Sequence, residues 1–579
     1  MKDRIIFFCF KLIPMLYWIS SLIRADSYYL PYLVVAILSF VSLYINTREQ
    51  IKPEVLSEQK RLLFATAGGF SLLTAEANYA MLFQGFSGGI CNRVYQVGMI
   101  VCFVLGSYFS AWNLLACLAV KFEKFSWKRC LYHLPTIVVF GMSFITIAAV
   151  DLFFLFTCKY PGNLTTDSLV QISQILSGTY SNHHPFYHTM IIKICLVIGL
   201  NIFHDINAAV ATYHVFQILF IAGCFSAVTV TLYEMRMKMC TVTVVFLWYL
   251  CMPFHIMYSF TMWKDVIFGG FTVVFVVFSY RKLKKIGKNQ FLNLIILGIS
   301  GMGLCLCRSN GLFAFIIIFL CFCLFFRKKE KKLCMLFAGI ILTSLFMKHV
   351  ALEELGISQP DVVEALSIPL QQIARVIVEH DDLSRTQKDL LHQVIDMENV
   401  SDIYVPYISD PVKELVREKG NQQAISSQKL EYFKLYIELG IRHPLSYIKA
   451  WIDQTRGFWN AGYDYWRWSD GIGENVFGIE RTVYCTRINK YLNGYLQIFS
   501  ENNLLQLFLC IGFYTWMNLI LCFMNVIRKD KIGFFISVPI LAIIFSLLIS
   551  SPVYAEFRYA YALFCCLPFL TVAAFYGSD

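Results

Sequence analysis

Charged side chains are scarce in this chain. Asp, Glu, Lys and Arg make up 15% of its 579 residues, against about a quarter in an ordinary soluble domain. Apolar residues make up 58% and the mean hydropathy is +0.60, so a soluble globular protein is excluded. A Walker phosphate loop, a dinucleotide-binding glycine fingerprint, an HExxH pair and a CxxC pair are all missing. An ATP-driven pump, a nicotinamide enzyme and a zinc protease therefore lack their usual sequence supports. No repeat of roughly 20–50 residues is legible, nor is a pair of broken helices in corresponding halves of the kind that marks many transporters. The twenty cysteines sit mostly inside apolar runs, where Cys behaves as a small hydrophobe. Only Cys158 and Cys485 fall in expected external segments.

What is abundant is apolar sequence in long runs. About eighteen apolar residues suffice to cross a hydrocarbon core of roughly 30 Å, and such runs recur from one end of the chain to the other, interrupted by one polar region at about 351–503. The chain reads as an all-α polytopic membrane protein. Its start has a basic end and an apolar run interrupted by Lys11 and Pro14, without a small-residue cleavage site, which predicts a retained helix.

The net charge of +11 comes from short basic clusters between apolar runs, a pattern that sets membrane orientation and gives no reason to expect a nucleic-acid partner. The clusters are Lys2 with Arg4; Arg48, Lys52, Lys60 and Arg61; Lys121, Lys124, Lys128 and Arg129; Arg236 with Lys238; Arg281 to Lys288; Arg327 to Lys332; and Arg528, Lys529 and Lys531. Placing all seven inside predicts fourteen crossings with both termini cytoplasmic. It also requires that 187–203 does not cross, and lies instead as an interfacial or re-entrant segment. The expected divisions are 1–131, with four added crossings; a core at 132–350 whose first external loop is 158–207; a mostly helical external domain at 351–503; and C-terminal crossings at 504–579.

This topology gathers the costly polar residues on one face. They are Asp167, His183 and His184, Lys264 and Asp265, Arg308 and Asn310, and Glu556 and Arg558. Ionisable groups at membrane depth need partners or a function, so a single site is expected. Each group also has a plainer reading. Asp167 or Ser168 with Gln171 has the form of a helix N-cap and capping box; the alternative is a carboxylate facing an external cavity. His183 and His184, just before Pro185, are either interfacial hydrogen-bonding groups or metal ligands. Lys264 and Asp265 at a helix start can satisfy each other and the helix dipole. Three successive external junctions with a Lys or Arg beside a polar partner nevertheless suit a phosphate or diphosphate at the membrane surface. In the polar region, Asp361–His380 and Gln428–Trp459 have helical patterning. The aromatic run from Phe458 to Trp468 suits either an interfacial belt or stacking on sugar rings.

The strings YPGNLTTDS (160–168), YSNHHPFYH (180–188), WKD (263–265), RSNG (308–311) and EFRYAY (556–561), in that order and followed by a late helical external region, resemble the GT-C superfamily of integral membrane glycosyltransferases. More particularly, they are similar to an uncharacterised family of polytopic bacterial membrane proteins, mainly Gram-positive, grouped with that superfamily. The likeness spans about 132–579. It implies a GT-C-like transmembrane helix bundle that moves a sugar from a polyprenyl-phosphate donor to a cell-envelope glycan or protein acceptor on the external face of the plasma membrane. By position, Asp167 would be the general base, with Asp265 as the second catalytic acid group. His183, His184, Lys264, Arg308, Asn310, Glu556 and Arg558 would bind substrate. A divalent metal ion held by Asp167, Asp265 and His184 is a further implication. The alternative is a transporter or flippase for lipid-linked sugars or polymer, without transferase chemistry.

Overall fold

The structure is a computed structural model and describes residues 2–25, 30–48, 59–83, 90–122, 130, 134–460 and 466–576. The expected orienting residues Lys52, Lys124, Lys128 and Arg129, and positions 461–465 of the aromatic run, lie outside these. Among the described residues the chain is helical, with isolated bridges in place of strands. It is an all-α polytopic membrane protein: among the described residues eight helices are long and apolar enough to cross a membrane, and two bent pairs could each form one further span.

Among the described residues four long N-terminal helices come first: α1 (Lys2–Ala25), α2 (Leu30–Arg48), α3 (Lys60–Ala77) and α4 (Ile90–Phe122). They share one apolar cluster around Trp18, Leu22, Tyr32 and Phe103. The core follows with α5 (Thr136–Cys158), the short amphipathic α6 (Thr166–Ser177), α7 (Phe186–Phe203) and α8 (Ile206–Glu234). Next are α9 (Met239–Cys251), α10 (Pro253–Ser259), α11 (Lys264–Leu283), α12 (Gln290–Leu306), α13 (Gly311–Phe326) and α14 (Lys331–Leu345). The polar region supplies α15 (Ser367–Glu379), α16 (Lys429–Arg442), α17 (Pro444–Thr455) and α18 (Thr486–Glu501), with shorter turns between them. The chain closes with α19 (Ile511–Ile527), α20 (Lys531–Ser550) and α21 (Tyr561–Ala574). The N-terminal group docks through Leu63, Ala67, Leu115 and Ala119 onto Phe523, Met524 and Ile527 of α19. Helices α8, α11 and α21 are buried along most of their length, so they form the bundle's centre.

The apolar helices are not equivalent. Cys9–Ile23, Pro31–Asn46, Gln290–Leu306 and Gly311–Phe326 are apolar helices of shorter length, and α3 gives way at Asn78 to the short helix Tyr79–Phe83. Two bent helices stand out in the structure. Helices α9 and α10 bend by 53° at Met252, and 503–509 bends by 62° into α19. At the first break Pro253 removes an N–H and forces Met252 into an extended conformation (φ −65°, ψ 129°). At the second no proline is present, and Cys510 takes an extended conformation (φ −96°, ψ 105°). Trp248 packs on both Phe508 and Tyr514, so the two breaks adjoin.

Helix α7 is long and apolar enough to cross, and its C-terminal end meets a layer of irregular chain. It begins at Pro185, beside Lys264. It ends at His204, where Asn207 donates to the Gly478 carbonyl at 3.4 Å and accepts from the Glu480 N–H at 3.0 Å. Leu164, just before α6, pairs with Gly471 and Gly473 of the same 466–482 segment. This layer has its own apolar core, built from Leu169, Ile172, Ile192, Leu196, Ala209 and Ile479.

The polar region divides in two. Residues 363–447 pack on one another in two clusters of their own. Phe458, Trp459 and the α18 residues Leu492, Leu496 and Phe499 join the main bundle core instead. Phe458 and Trp459 are buried, so neither is an interfacial belt residue or a sugar platform; Trp466 is exposed.

Candidate functional site

The local scaffold of the site is a sandwich of irregular segments. Asn163 accepts from Gly471 and its backbone bonds both Phe260 and Met262, so the 160–168 segment is held between the 258–262 linker and the 466–482 layer. Gly162 has φ +126°, and a Cβ there would lie 2.1 Å from the His214 ring, a position only glycine can fill. A buried polar chain fixes the linker from behind. Gln217 Nε2 donates to the carbonyls of Tyr258, Ser259 and Thr261 at 2.9, 3.0 and 2.8 Å. Its Oε1 accepts from the Tyr213 hydroxyl at 2.9 Å, which in turn contacts His188 Nε2 at 2.9 Å. Gln171 Nε2 completes the chain on His188 and Thr189. The sequence reading missed His188, Tyr213 and Gln217. The available signal was His188 in the first turn of the apolar α7, four residues beyond His184.

Asp167 does not cap α6. Thr165 is the N-cap residue, and its N–H donates to Ser168 Oγ at 3.2 Å. Ser168 Oγ itself donates to the Met262 carbonyl at 2.7 Å. Asp167 lies in the first turn, where the helix dipole favours a negative charge, and its side chain is 31% exposed. Arg558 Nη1 donates to Asp167 Oδ2 at 2.8 Å and Lys264 Nζ lies 3.9 Å from the same oxygen. Lys264 Nζ also donates to His184 Nδ1 at 3.3 Å. Arg558 Nε pairs with Glu556. A second pair lies one turn away in space: Arg308 Nη1 stands 3.2 Å from Asp265 Oδ1 and donates to the Tyr559 carbonyl at 2.8 Å. The Tyr559 ring separates the two arginines, with Arg308 at 4.9 Å and Arg558 at 5.2 Å from its centre. Trp263 backs Arg558 at 5.2 Å and anchors on Thr165 Oγ1 at 2.9 Å. Neither aromatic was singled out from sequence, although both stand inside the quoted motifs.

The structure thus brings together Asp167, His184, Lys264, Asp265, Arg308, Glu556 and Arg558. His183 is exposed and touches the site only through the edge of the His184 ring, 4.8 Å away. Asn310 turns aside, donating to Ser546 Oγ at 2.6 Å, and serves the joint between α13 and α20.

The charge states follow from these neighbours. Burial raises the Asp167 carboxyl, but Arg558, then Lys264, outweigh it and hold the group well below the usual carboxylate range. Burial, reinforced by Lys264, pushes the His184 imidazole down to about 3, so it is neutral at pH 7 and accepts from Lys264. Burial raises the Glu556 carboxyl, against the pull of Arg558. Asp265 is fully buried, and neither carboxylate oxygen makes a hydrogen bond. The nearby Arg308 pairs with it by charge, off the hydrogen-bond direction.

Asp167, Asp265 and His184, expected as metal ligands, do not form one donor set among the described residues. The Lys264 ammonium stands between Asp167 and His184, and Arg308 neutralises Asp265. As they sit, these residues do not fit a divalent ion, and no step below is routed through one.

The site lies where the polar domain meets the bundle. Ser409 N–H donates to the Pro552 carbonyl at 2.8 Å, Tyr554 N–H to Tyr407 at 2.9 Å, and Trp466 pairs with Glu556. Gln371 of α15 holds the same strip through the Val405 and Ile408 carbonyls at 2.7 and 2.9 Å. The opposite end of the bundle carries Arg281 on Glu234 and Thr231, and Arg528 on the Ala574 carbonyl at 2.6 Å. The 20 residues of α11 separate the two ends, a length of about 30 Å.

No curated protein and no solved structure matches the chain. One family does, described as "Family of unknown function (DUF6020)"; its match runs over residues 176–579, which includes every site residue except Asp167. With well over half of its length matched, the chain belongs to this family of unknown function.

Proposed function

We propose that the chain is a membrane glycosyltransferase of GT-C type. It takes a sugar from a polyprenyl-phosphate donor and passes it to a cell-envelope glycan or protein acceptor on the external face of the bacterial plasma membrane, with both termini cytoplasmic. The observation that supports this most is the Asp167 cluster, a partly exposed carboxylate held by two cations able to bind phosphate. In the transfer, the acceptor hydroxyl oxygen bonds to the anomeric carbon as the bond from that carbon to the donor phosphate breaks. The hydroxyl proton passes to Asp167, and the negative charge collects on the leaving phosphate, where Arg558 and Lys264 stabilise it.

A carboxylate held far below its usual range is a poor base. The same geometry supplies the remedy. A donor phosphate that draws Arg558 and Lys264 toward itself weakens their hold on Asp167, and the burial that raises its pKa then acts with less opposition. Asp167 becomes basic when the donor is in place. The second reading, a transporter or flippase of lipid-linked sugar, draws support from the two adjoining bent helices, since broken helices line substrate sites in many transporters.

The deciding measurement uses the purified protein in liposomes with a synthetic polyprenyl-phosphate sugar, alongside mass spectrometry of envelope glycans from cells with and without the gene. Transfer reads as cleaved donor and as one glycan mass lost without the gene. Donor that crosses the bilayer intact, with no cleavage, supports the transporter.

The pH response is also set by these neighbours. His184 has its folded value near 3, below the ordinary 6.5. Its neutral form therefore contributes stability that is complete above about pH 6.5 and declines as pH falls toward 3. Asp167 is likewise depressed, so its contribution is complete above about pH 4 and is lost as pH falls through its folded value. Between pH 5 and 8 neither group changes charge in the folded protein, and a sugar phosphodiester does not titrate there. Donor binding is expected to show no step near pH 6.5 from His184. A step near pH 6.5 that vanishes in His184→Gln would show that His184 titrates and would overturn the assignment.

A further inference from the structure

A second group of ionisable side chains lies in the polar domain, apart from the Asp167 site. His380 follows α15, Asp382 stands two residues on, and His443 joins α16 to α17. One ring nitrogen of each histidine and one carboxylate oxygen of Asp382 lie within 4.8 Å of one another. The two rings overlap at 4.1 Å between centres, tilted by 30°.

The surrounding hydrogen bonds decide which atoms are available. Ser446 Oγ donates to Glu379 Oε2 at 2.6 Å, so its oxygen is left to accept from His380 Nε2, 2.9 Å away. That puts the His380 proton on Nε2 and the lone pair on Nδ1. His443 is 7% exposed, and its Nε2 is buried without a hydrogen bond, 3.5 Å from Asp382 Oδ1. Arg442 Nη2 donates to Asp382 Oδ2 at 3.0 Å, which orients the carboxylate and leaves Oδ1 toward His443. A buried imidazole nitrogen without a partner is costly, and a cation among the three donors would satisfy it. Two imidazoles with one carboxylate suit a borderline transition ion, because calcium and magnesium take oxygen donors. The Glu379–Ser446 contact behind His380 is the outer support that orients metal-binding histidines.

We infer that His380 Nδ1, His443 Nε2 and Asp382 Oδ1 bind a divalent transition ion of the zinc class, which fastens the end of α15 to the junction of α16 and α17. The Arg442 charge beside the site is balanced by Asp382, so the ion meets no uncompensated cation. The inference does not depend on the proposed transferase activity.

The test uses the full chain in detergent, stripped with a chelator and then given Zn²⁺ alone or Co²⁺ alone. One equivalent of metal is expected to remain after desalting, with visible Co²⁺ absorption and a raised unfolding temperature. Asp382→Asn, at a half-exposed position, should keep the fold and weaken the affinity at least ~10-fold. His380→Gln should do the same, while Asp167→Asn should bind metal as the wild type does. Substoichiometric zinc in the wild type, or wild-type affinity in both Asp382→Asn and His380→Gln, overturns the site. Loss of the metal in Asp167→Asn overturns it too, by placing the ion at the bundle.

Discussion

Asp167→Asn is expected to lower sugar transfer by a factor on the order of 10²–10⁴, the usual cost of losing a general base, while insertion and folding stay normal. The substitution keeps the size of the side chain and an oxygen that Arg558 can still reach. It does not disturb the start of α6, because Thr165 and Ser168 make that cap. The remaining role of Asp167 is electrostatic, and Glu556 continues to neutralise Arg558 after the change. Donor binding should therefore persist or tighten, since Arg558 and Lys264 are freed for the phosphate. The measurement is the initial rate of transfer from a polyprenyl-phosphate sugar, with binding followed separately. A purified Asp167→Asn protein that transfers at near wild-type rate would refute the catalytic assignment.

The largest effect on stability is expected at the other pair. Arg308→Ala leaves the Asp265 carboxylate buried without its ion-pair partner and with no hydrogen bond. Removing one member of a buried ion pair typically costs about 3–5 kcal/mol. Replacing both members, as Asp265→Leu with Arg308→Met, should recover most of that loss, because two apolar side chains demand no desolvation of charge. The comparison is made by unfolding in mixed detergent. Equal destabilisation of the single and double variants would show that Arg308 acts through its bond to the Tyr559 carbonyl, and not through Asp265. Arg308→Ala is accordingly a poor probe of donor binding, since its loss of activity would mix binding with folding.

Much of the site was legible because charge is conspicuous in a chain this apolar. Asp167, Lys264, Asp265, Arg308 and Arg558 stand out against their runs, and the basic clusters led to the expectation that they share one face. His188, Tyr213 and Gln217 were not legible. Each is an ordinary polar residue in a helix, and only the packing of α7 across α8 makes them a chain of donors behind the 258–262 linker.

Composition and the length of the apolar runs were enough to establish an all-α membrane protein, since a bilayer admits few other ways to satisfy backbone groups. Periodicity likewise placed α15, α16 and α17 within the polar region, because an amphipathic stripe is a local property. Which cation faces which carboxylate was beyond any local rule. Residues separated by several hundred positions meet there: Arg558 reaches Asp167 across 391 residues and Arg308 reaches the Tyr559 carbonyl across 251. The breaks at Met252 and Cys510 belong to the same class, as only the first carries a proline to announce it. Long-range pairing of charge depends on how helices pack, and packing is a property of the whole chain.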